Sequence, residues 1–288
     1  MILRARDREW AFPRERPLLM GIVNANPDSV SDRVHPDPVA RGLSLVADGA
    51  DVVDVGGESG RTDRPPVSAA EEIARVAPVI RALAAEGVAV SVDTFRAEVA
   101  EAALEAGAAI VNDVGGLLEP AIAQLAARFG AGLVVMHTRA RPKEEAFPGY
   151  EDVVSDVRAF LAERVEAALD AGVAAEQLVL DPGLDYAKTP AESIEILRRL
   201  PELHALGRPL LLAVSNKYFV GMLTGRAPDE RLAGTLAALA HGVEFGGAIA
   251  RVHDVRAAAD FLAVRAALRG DGPPALAGDA ADEALKWL

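Results

Sequence analysis

Eight short apolar runs in this sequence each end in side chains that can form hydrogen bonds or carry charge. Carboxylates, amides and cations are the groups that bind polar ligands and stabilise charge that develops in a reaction. The residues at these ends are Asn24, Glu58, Ser59, Arg61, Asp93, Asn112, Asp113, His137, Asp181, Ser215, Lys217, Arg251 and His253. A single Asp or Asn at such a position often only terminates a strand. Eight polar ends that meet on one face predict a functional pocket.

The polarity of these ends changes along the chain. The last two runs supply the cations Lys217, Arg251 and His253. The earlier runs supply the acceptors Asp93, Asn112 and Asp181. Cations near a helix N-terminus are typical of phosphate sites, whereas oxygen acceptors suit a ligand edge that is rich in N–H donors. The pattern predicts a flat heterocycle, such as an aminopyrimidinone, bound beside a phosphorylated group.

The apolar runs predict the strands that position these residues. They are rich in Val, Ile and Leu and are continuous rather than alternating, as in parallel strands that are buried on both faces. The runs are 18–23, 51–56, 88–93, 109–114, 133–137, 178–182, 210–215 and 248–254. Segments with helical spacing lie between several of them, at 70–86, 151–172, 191–206 and 229–245.

Eight strands that alternate with helices predict an α/β fold, a single-domain (β/α)8 TIM barrel. The alternative is a doubly wound open sheet, which often carries a glycine-rich dinucleotide loop, but no G-x-G-x-x-G follows a strand here. Residues 18–268 are predicted to form the barrel. Residues 1–17 are predicted to form an N-terminal extension, a hairpin that closes the barrel floor, and residues 269–288 a C-terminal tail.

Composition argues against several classes of function. The 288 residues carry a formal net charge of −13, which argues against a general surface for nucleic acids or anionic membranes. Cysteine is absent, so disulfides, thiolate catalysis and cysteine-bound zinc are excluded. The sequence has no secretory leader pattern and no apolar run of about 18 residues, so we expect a cytoplasmic protein.

Other catalytic chemistries lack their signatures. The five histidines have no metal-binding spacing such as H-E-x-x-H, and no G-x-S-x-G nucleophile elbow is present. A zinc site and a Ser-His-Asp hydrolase are therefore not predicted. A Mg²⁺ ion bound by an oxygen ligand together with substrate phosphates is compatible with the sequence.

Seven ordered blocks resemble the signature blocks of the dihydropteroate synthases, a family of pterin-binding (β/α)8 barrels. The blocks are GIVNANPDSVSD, ADVVDVGGES, SVDTFRAEVAEAALEAGAAIVNDV, VVMHTR, LDPGLDYAKT, SNKYFVG and RVHDV. The resemblance implies an enzyme of folate biosynthesis that joins 6-hydroxymethyl-7,8-dihydropterin diphosphate to p-aminobenzoate and releases pyrophosphate. It also implies Mg²⁺ as the cofactor and a homodimer formed through late helices of the barrel.

The resemblance also implies roles for individual residues. The implied pterin-binding residues are Asp93, Asn112, Met136, Asp181, Lys217 and Arg251. The implied diphosphate-binding residues are Asn24, Arg251 and His253, with Asn24 as the Mg²⁺ ligand. The implied p-aminobenzoate-binding residues are Ser59, Arg61, Ser215 and Asp32. The implied catalytic residues are Asp93, Lys217, Arg251 and His253.

Several residues depart from the family pattern, mostly on the p-aminobenzoate side. Gly60 stands where the family has Thr, Val30 where it has Phe, and Asn216 where it has Arg. Asp185 and Ala187 stand where Gly or other small residues are common. Two functions therefore fit: an active, divergent dihydropteroate synthase, or a paralogue that binds a pterin but lacks this condensation or uses another acceptor. A corrinoid methyltransferase that uses methyltetrahydrofolate shares the barrel and pterin pocket, but it does not require the cationic diphosphate site.

Overall fold

The structure of the protein is a computed structural model. It describes residues 1–12, 16–26, 37–60, 64–245 and 247–270. Four sequence predictions concern residues outside these ranges: the roles of Asp32 and Arg61, the departure at Val30, and the tail after residue 270.

Buried parallel strands alternate with helices along the described part of the chain. An antiparallel hairpin comes first, formed by β1 (Ile2–Ala5) and β2 (Arg8–Ala11). The strands that follow are β3 (Leu18–Asn24), β4 (Val52–Gly56), β5 (Val90–Thr94), β6 (Ile110–Asp113), β7 (Gly132–Met136), β8 (Leu178–Asp181), β9 (Leu210–Leu212) and β10 (Gly247–Val252). Each strand pairs with the next and β10 pairs with β3, so these strands close into a barrel. The predicted single-domain (β/α)8 TIM barrel is confirmed.

Helices surround the barrel. The α-helices are α1 (Pro38–Ala47), α2 (Ala69–Ala85), α3 (Ala97–Ala106), α4 (Ala121–Phe129), α5 (Val153–Asp170), α6 (Pro190–Arg198), α7 (Leu200–His204), α8 (Tyr218–Thr224), α9 (Leu232–Glu244) and α10 (Val255–Arg269). Two short 3₁₀ helices span Ala175–Gln177 and Pro228–Glu230. The helix predicted over 191–206 is broken between α6 and α7, next to Pro201, because proline lacks the N–H that would continue the helical ladder. No described helix is both long enough and apolar enough to cross a membrane.

The hairpin lies against the end of the barrel where the strands begin. Leu3 and Ala5 are fully buried, and they pack in one apolar cluster with the first interior residues of the barrel strands, such as Leu18 and Val52. The backbone N–H of Arg6 also donates to the carbonyl of Gly130, at 2.6 Å. The hairpin therefore shields the lower apolar layer of the barrel from water.

Strand periodicity places polar residues inside the upper end of the barrel. In β3, Leu18 and Met20 belong to the interior cluster, whereas Leu19 and Val23 pack against the helices. Since successive strand residues point to opposite faces, every second residue continues the interior row toward the carboxyl end of each strand. The residues that continue these rows are Asn24, Asp54, Asp93, Asn112, Met136, Asp181 and Arg251. The lower part of the barrel interior is therefore apolar, and the layer above it, directly below the loops at the carboxyl ends of the strands, is mostly polar.

Candidate active site

An arginine at the centre of the polar layer joins two acidic side chains. Arg251 Nε donates to Asp54 Oδ2 at 2.7 Å, and Arg251 Nη2 donates to Asp93 Oδ2 at 2.6 Å. Asn112 Nδ2 donates to the same Asp54 oxygen at 3.1 Å. These four residues come from β10, β4, β5 and β6, so the closed barrel brings together groups that are as much as 197 positions apart in the chain.

Burial gives this cluster its electrostatic character. Burial alone would lower the pKa of Arg251, but Asp54 and Asp93 raise this pKa above its ordinary value. Burial raises the pKa of Asp93 to about 7, since the opposing effect of Arg251 is smaller and the charge of Asp54 adds to the rise. Arg251 therefore keeps its charge, whereas Asp93 titrates near neutral pH.

Two acceptor atoms in the same layer lack a hydrogen-bond partner among the described residues. Asp54 Oδ1 and Asn112 Oδ1 are both buried, and neither receives an N–H or O–H from the protein. Leaving a buried acceptor unpaired is unfavourable, so each such atom calls for an explanation. A ligand with N–H donors on one edge would satisfy both atoms.

The last residue of β8 and a lysine that follows β9 both bind the loop after β8. Asp181 Oδ1 accepts a hydrogen bond from the Gly183 N–H at 2.7 Å, and Lys217 Nζ donates to the Leu184 carbonyl at 2.8 Å. Gly183 has a φ of +67°, and a Cβ there would lie 2.0 Å from the carbonyl oxygen of His137, so only glycine fits. Burial raises the pKa of Asp181 and lowers that of Lys217, and each charge opposes the shift of the other.

A serine orients the histidine that follows β10. Ser215 Oγ lies 2.9 Å from His253 Nδ1, and it also accepts the backbone N–H of His253 at 3.2 Å. Because the serine oxygen already accepts one hydrogen bond, its own O–H is available to donate to Nδ1. That arrangement leaves the imidazole proton on Nε2, from which it can be donated to an anionic ligand.

Two adjacent cavities lie above the polar layer, with volumes of about 180 and 430 Å³. The first is lined by the predicted site residues Asn24, Ser59, Asp93, Arg251 and His253. The second is lined by the predicted site residues Ser215, Lys217, Arg251 and His253. Among the described residues, the predicted site residues that line neither cavity are Asn112, Met136 and Asp181, which are buried in the layer below.

Two polar residues from the strand ends face away from the barrel interior. His137 Nε2 lies 2.9 Å from Asp156 Oδ1 on α5, and burial lowers the pKa of this histidine to about 3. Asp113 accepts the backbone N–H groups of Gly115 and Leu117 at 2.7 and 2.6 Å. Both side chains stabilise loops around the site, and neither lines the two cavities.

One ion-pair cluster beside the first cavity joins Glu58, a strand-end residue that the sequence singled out, to residues that the sequence did not single out. Arg96 Nη1 donates to Glu58 Oε2 at 2.6 Å and also to the buried Glu72. Lys143, from the loop after β7, donates to the carbonyl of Ser59 and lies 3.6 Å from Glu58. The cluster ties the loop after β4 to the loop after β7. Nothing in the sequence indicated that Glu72, Arg96 and Lys143 lie beside Glu58, because these residues come from a helix and from loops that are distant in the chain.

Comparison with known proteins identifies relatives along nearly the whole chain. The family described as "Pterin binding enzyme" matches residues 20–253. The dihydropteroate synthase of Mycobacterium leprae is 44% identical over 268 residues, a match that covers 88% of this chain and 94% of that protein.

Solved structures agree with this comparison. The dihydropteroate synthase of Xanthomonas albilineans with 4-aminobenzoic acid superposes with a TM-score of 0.85 at 41% identity, covering 93% of this chain and 99% of that one. The same enzyme in complex with 7,8-dihydropteroate gives a TM-score of 0.82 at 40% identity, covering 92% and 98%. The chain belongs to the dihydropteroate synthase family of pterin-binding enzymes.

Proposed function

We propose that the protein condenses 6-hydroxymethyl-7,8-dihydropterin diphosphate with p-aminobenzoate, releasing pyrophosphate, as a dihydropteroate synthase of folate biosynthesis. The observation that carries the proposal is the pair of unpartnered buried acceptors, Asp54 Oδ1 and Asn112 Oδ1, within a layer that also holds Arg251. The acceptors match the N–H edge of a pterin, and the cationic flank matches its diphosphate. Relatives at 39–44% identity carry the same activity in their names.

The charges in the site fit a reaction in which the leaving group departs early. The bond between the pterin methylene and the diphosphate oxygen breaks, and its electron pair leaves with pyrophosphate. In this proposal Arg251 and His253 Nε2 bind the departing anion, and Asp93 stabilises the positive charge left on the methylene; all three residues line the first cavity. The nitrogen of p-aminobenzoate then bonds to the methylene carbon and loses a proton to solvent water. A neutral arylamine already has a free lone pair, so the protein's main task is positioning.

A steady-state assay with both substrates tests this proposal against the paralogue alternative. We expect pyrophosphate release that depends on p-aminobenzoate and a product with the mass of dihydropteroate. Binding of the pterin diphosphate without turnover would instead support a paralogue that lacks this condensation. Turnover only with a different arylamine would support a changed acceptor.

The acid limb of the pH profile is expected to follow Asp93. Its pKa is raised to about 7 by burial, so the carboxyl group is protonated below that pH and loses its ion pair with Arg251. We therefore expect kcat/KM for the pterin diphosphate to fall about tenfold per pH unit below pH 7. The Asp93→Asn variant should have low activity and a flat profile over the same range. An acid limb that persists in this variant would contradict the assignment.

We propose Asn24 as the protein ligand of a Mg²⁺ ion. Its side chain lines the first cavity together with Asp93 and His253. Mg²⁺ accepts oxygen ligands, so an ion held by the Asn24 amide oxygen and by substrate phosphates fits the chemistry of this residue. Such an ion would neutralise charge on the leaving pyrophosphate. We expect Asn24→Ala to raise the Mg²⁺ concentration needed for half-maximal turnover. Wild-type turnover that is unaffected by a chelator would contradict this.

We also propose that the protein is a homodimer through its late helices. Large apolar side chains are exposed on α8, α9 and α10, and α9 contacts both of the other helices. These side chains are Met222, Leu223, Leu232, Val264 and Leu268. We expect sedimentation equilibrium to give twice the chain mass of 30.1 kDa, and Val264→Glu to shift the protein to the monomer. The proposal fails if the wild type is monomeric at micromolar concentration.

A further inference from the structure

Gly60, on the loop after β4, lies close to the side chain of Tyr186, on the loop after β8. A Cβ built on Gly60 would lie 3.0 Å from the Tyr186 hydroxyl oxygen, and the next nearest atom is the adjoining ring carbon at 4.0 Å. Gly60 is not among the glycines with a left-handed φ, so its backbone conformation would accept another residue. A side chain at residue 60 would therefore have to push the tyrosine hydroxyl aside.

The tyrosine ring is held firmly in this position. Its backbone N–H donates to the carbonyl of Gly183 at 3.1 Å, and its own carbonyl accepts from the buried Lys188 Nζ at 2.9 Å. Lys217 Nζ lies 4.7 Å from the ring centroid, a cation–π arrangement that fixes one face of the ring. The hydroxyl is thus positioned by the ring and the loop rather than by its own hydrogen bonds.

The hydroxyl group itself has no hydrogen-bond partner in the described part of the chain. Burial raises the pKa of Tyr186 to about 12, and the nearby Asp93 adds to the rise, so the group stays protonated at physiological pH. A neutral hydroxyl can both donate a hydrogen bond and accept one. It is therefore suited to an uncharged polar group such as an arylamine.

Tyr186 stands at the boundary between the two cavities. It lines both of them, together with Gly60 and Arg251. Asp93 lines only the first cavity, and Ser215 lines only the second. The Tyr186 hydroxyl can therefore be reached by a ligand in either cavity.

We propose that Tyr186 is a specificity-determining residue whose hydroxyl hydrogen-bonds the arylamine acceptor, and that Gly60 is required to leave room for it. The inference rests on the proposed condensation and refines its acceptor site. Gly60, on the loop after β4, leaves the Tyr186 hydroxyl in place because it has no side chain to displace it. The affinity for the arylamine then depends on Tyr186, which lies on the loop after β8.

A double-mutant cycle tests the proposal, with Tyr186→Phe, Gly60→Thr and the double variant compared with the wild type. Tyr186→Phe keeps the ring above Lys217 and removes only the hydroxyl. We expect the KM for p-aminobenzoate to rise about threefold to tenfold, the range of one lost hydrogen bond, with an unchanged Kd for the pterin diphosphate. Gly60→Thr should raise this KM by more than about tenfold in the wild type and by much less in the Tyr186→Phe background.

Two controls separate this role from a structural one. Tyr218→Phe removes a hydroxyl from an exposed ring that lines neither cavity, and it should leave the KM for p-aminobenzoate unchanged. Circular dichroism melting shows whether each variant is folded. An acceptor KM in Tyr186→Phe equal to that of the wild type would overturn the proposal. Equal effects of Gly60→Thr in both backgrounds would overturn it as well.

Equilibrium binding of p-aminobenzoate, measured in the presence of pyrophosphate, keeps this test independent of turnover. If the wild type forms no dihydropteroate, the proposed condensation fails, yet the wild type and Tyr186→Phe can still be compared by their Kd for p-aminobenzoate. A weaker affinity in the variant supports the tyrosine contact in that case. Equal affinities refute it.

Discussion

Replacing Arg251 by methionine is expected to impair both catalysis and folding. The guanidinium neutralises Asp54 and Asp93, whose oxygens lie 2.7 and 2.6 Å from its nitrogens. Without it, two carboxyl groups remain in the barrel interior with no cation between them, a loss that costs about 3–5 kcal/mol of unfolding free energy. The diphosphate also loses a charged donor, so kcat/KM for the pterin diphosphate should fall about a hundredfold to a thousandfold. Urea unfolding and steady-state kinetics measure the two effects.

Matched variants separate the two losses. Arg199→Met removes an arginine that pairs with Asp152 and Glu202 on the surface, so it should change the unfolding free energy far less than Arg251→Met does and leave kcat/KM unchanged. Adding Asp54→Asn to Arg251→Met removes one of the two carboxyl groups that are left without a cation. That double variant should recover part of the lost stability but none of the lost activity. A single Arg251→Met variant as stable and active as the wild type would show that the central ion pairs are not essential.

The barrel could be predicted from the sequence because each of its strands is buried on both faces. Runs such as LLMGIV, 18–23, contain only apolar residues and glycine, so they stand out from the helical segments around them. Eight such runs match the eight barrel strands β3 to β10. The break between α6 and α7 was missed because the spacing of apolar residues continues through it. Only the proline at 201 signals the interruption.

The pocket could be predicted only where polar residues terminate the strands. Asp93 and Asp181 do so, and the structure places both at interior positions beside the cations. Asp54 was missed because it lies in the middle of its strand, between Val53 and Val55, where a carboxylate has no turn to cap. The signal available in the sequence was an acid flanked by apolar residues inside a strand that is predicted to be buried. Such an acid requires a cation from elsewhere in the chain.

Contacts between distant loops could not be predicted from spacing alone. Gly60 was noted as a departure from the family pattern, but its meaning depends on Tyr186, which is 126 positions later in the chain (186 minus 60). The contact between Lys143 and the carbonyl of Ser59 likewise joins two loops that are distant in the chain. Parallel strands bring all of these loops to one end of the barrel, but the sequence does not show which loops touch. The structure therefore adds most information at the proposed p-aminobenzoate site.

Asp181→Asn is expected to weaken the binding of the pterin diphosphate about tenfold to a hundredfold without unfolding the protein. Asparagine has nearly the same shape as aspartate, and its oxygen can still accept the Gly183 N–H at the 2.7 Å position of Oδ1. The second oxygen becomes an NH₂ group, which cannot accept from a ligand and does not balance the charge of Lys217. A lost hydrogen bond to a charged group accounts for the size of the effect. Isothermal titration with the pterin diphosphate measures it.

Asp113→Asn provides the matched control. Asp113 is also a buried aspartate at the end of a barrel strand, but it faces outward and binds the N–H groups of Gly115 and Leu117. Its replacement should lower the unfolding free energy by about 1–3 kcal/mol, because one of these hydrogen bonds is lost, while the affinity for the pterin diphosphate stays unchanged. If both variants bound the ligand as tightly as the wild type, Asp181 would be a loop-stabilising residue like Asp113. If only Asp181→Asn lost affinity, the difference would lie in the face of the strand to which each aspartate belongs, since both are buried carboxyl groups that accept backbone N–H groups.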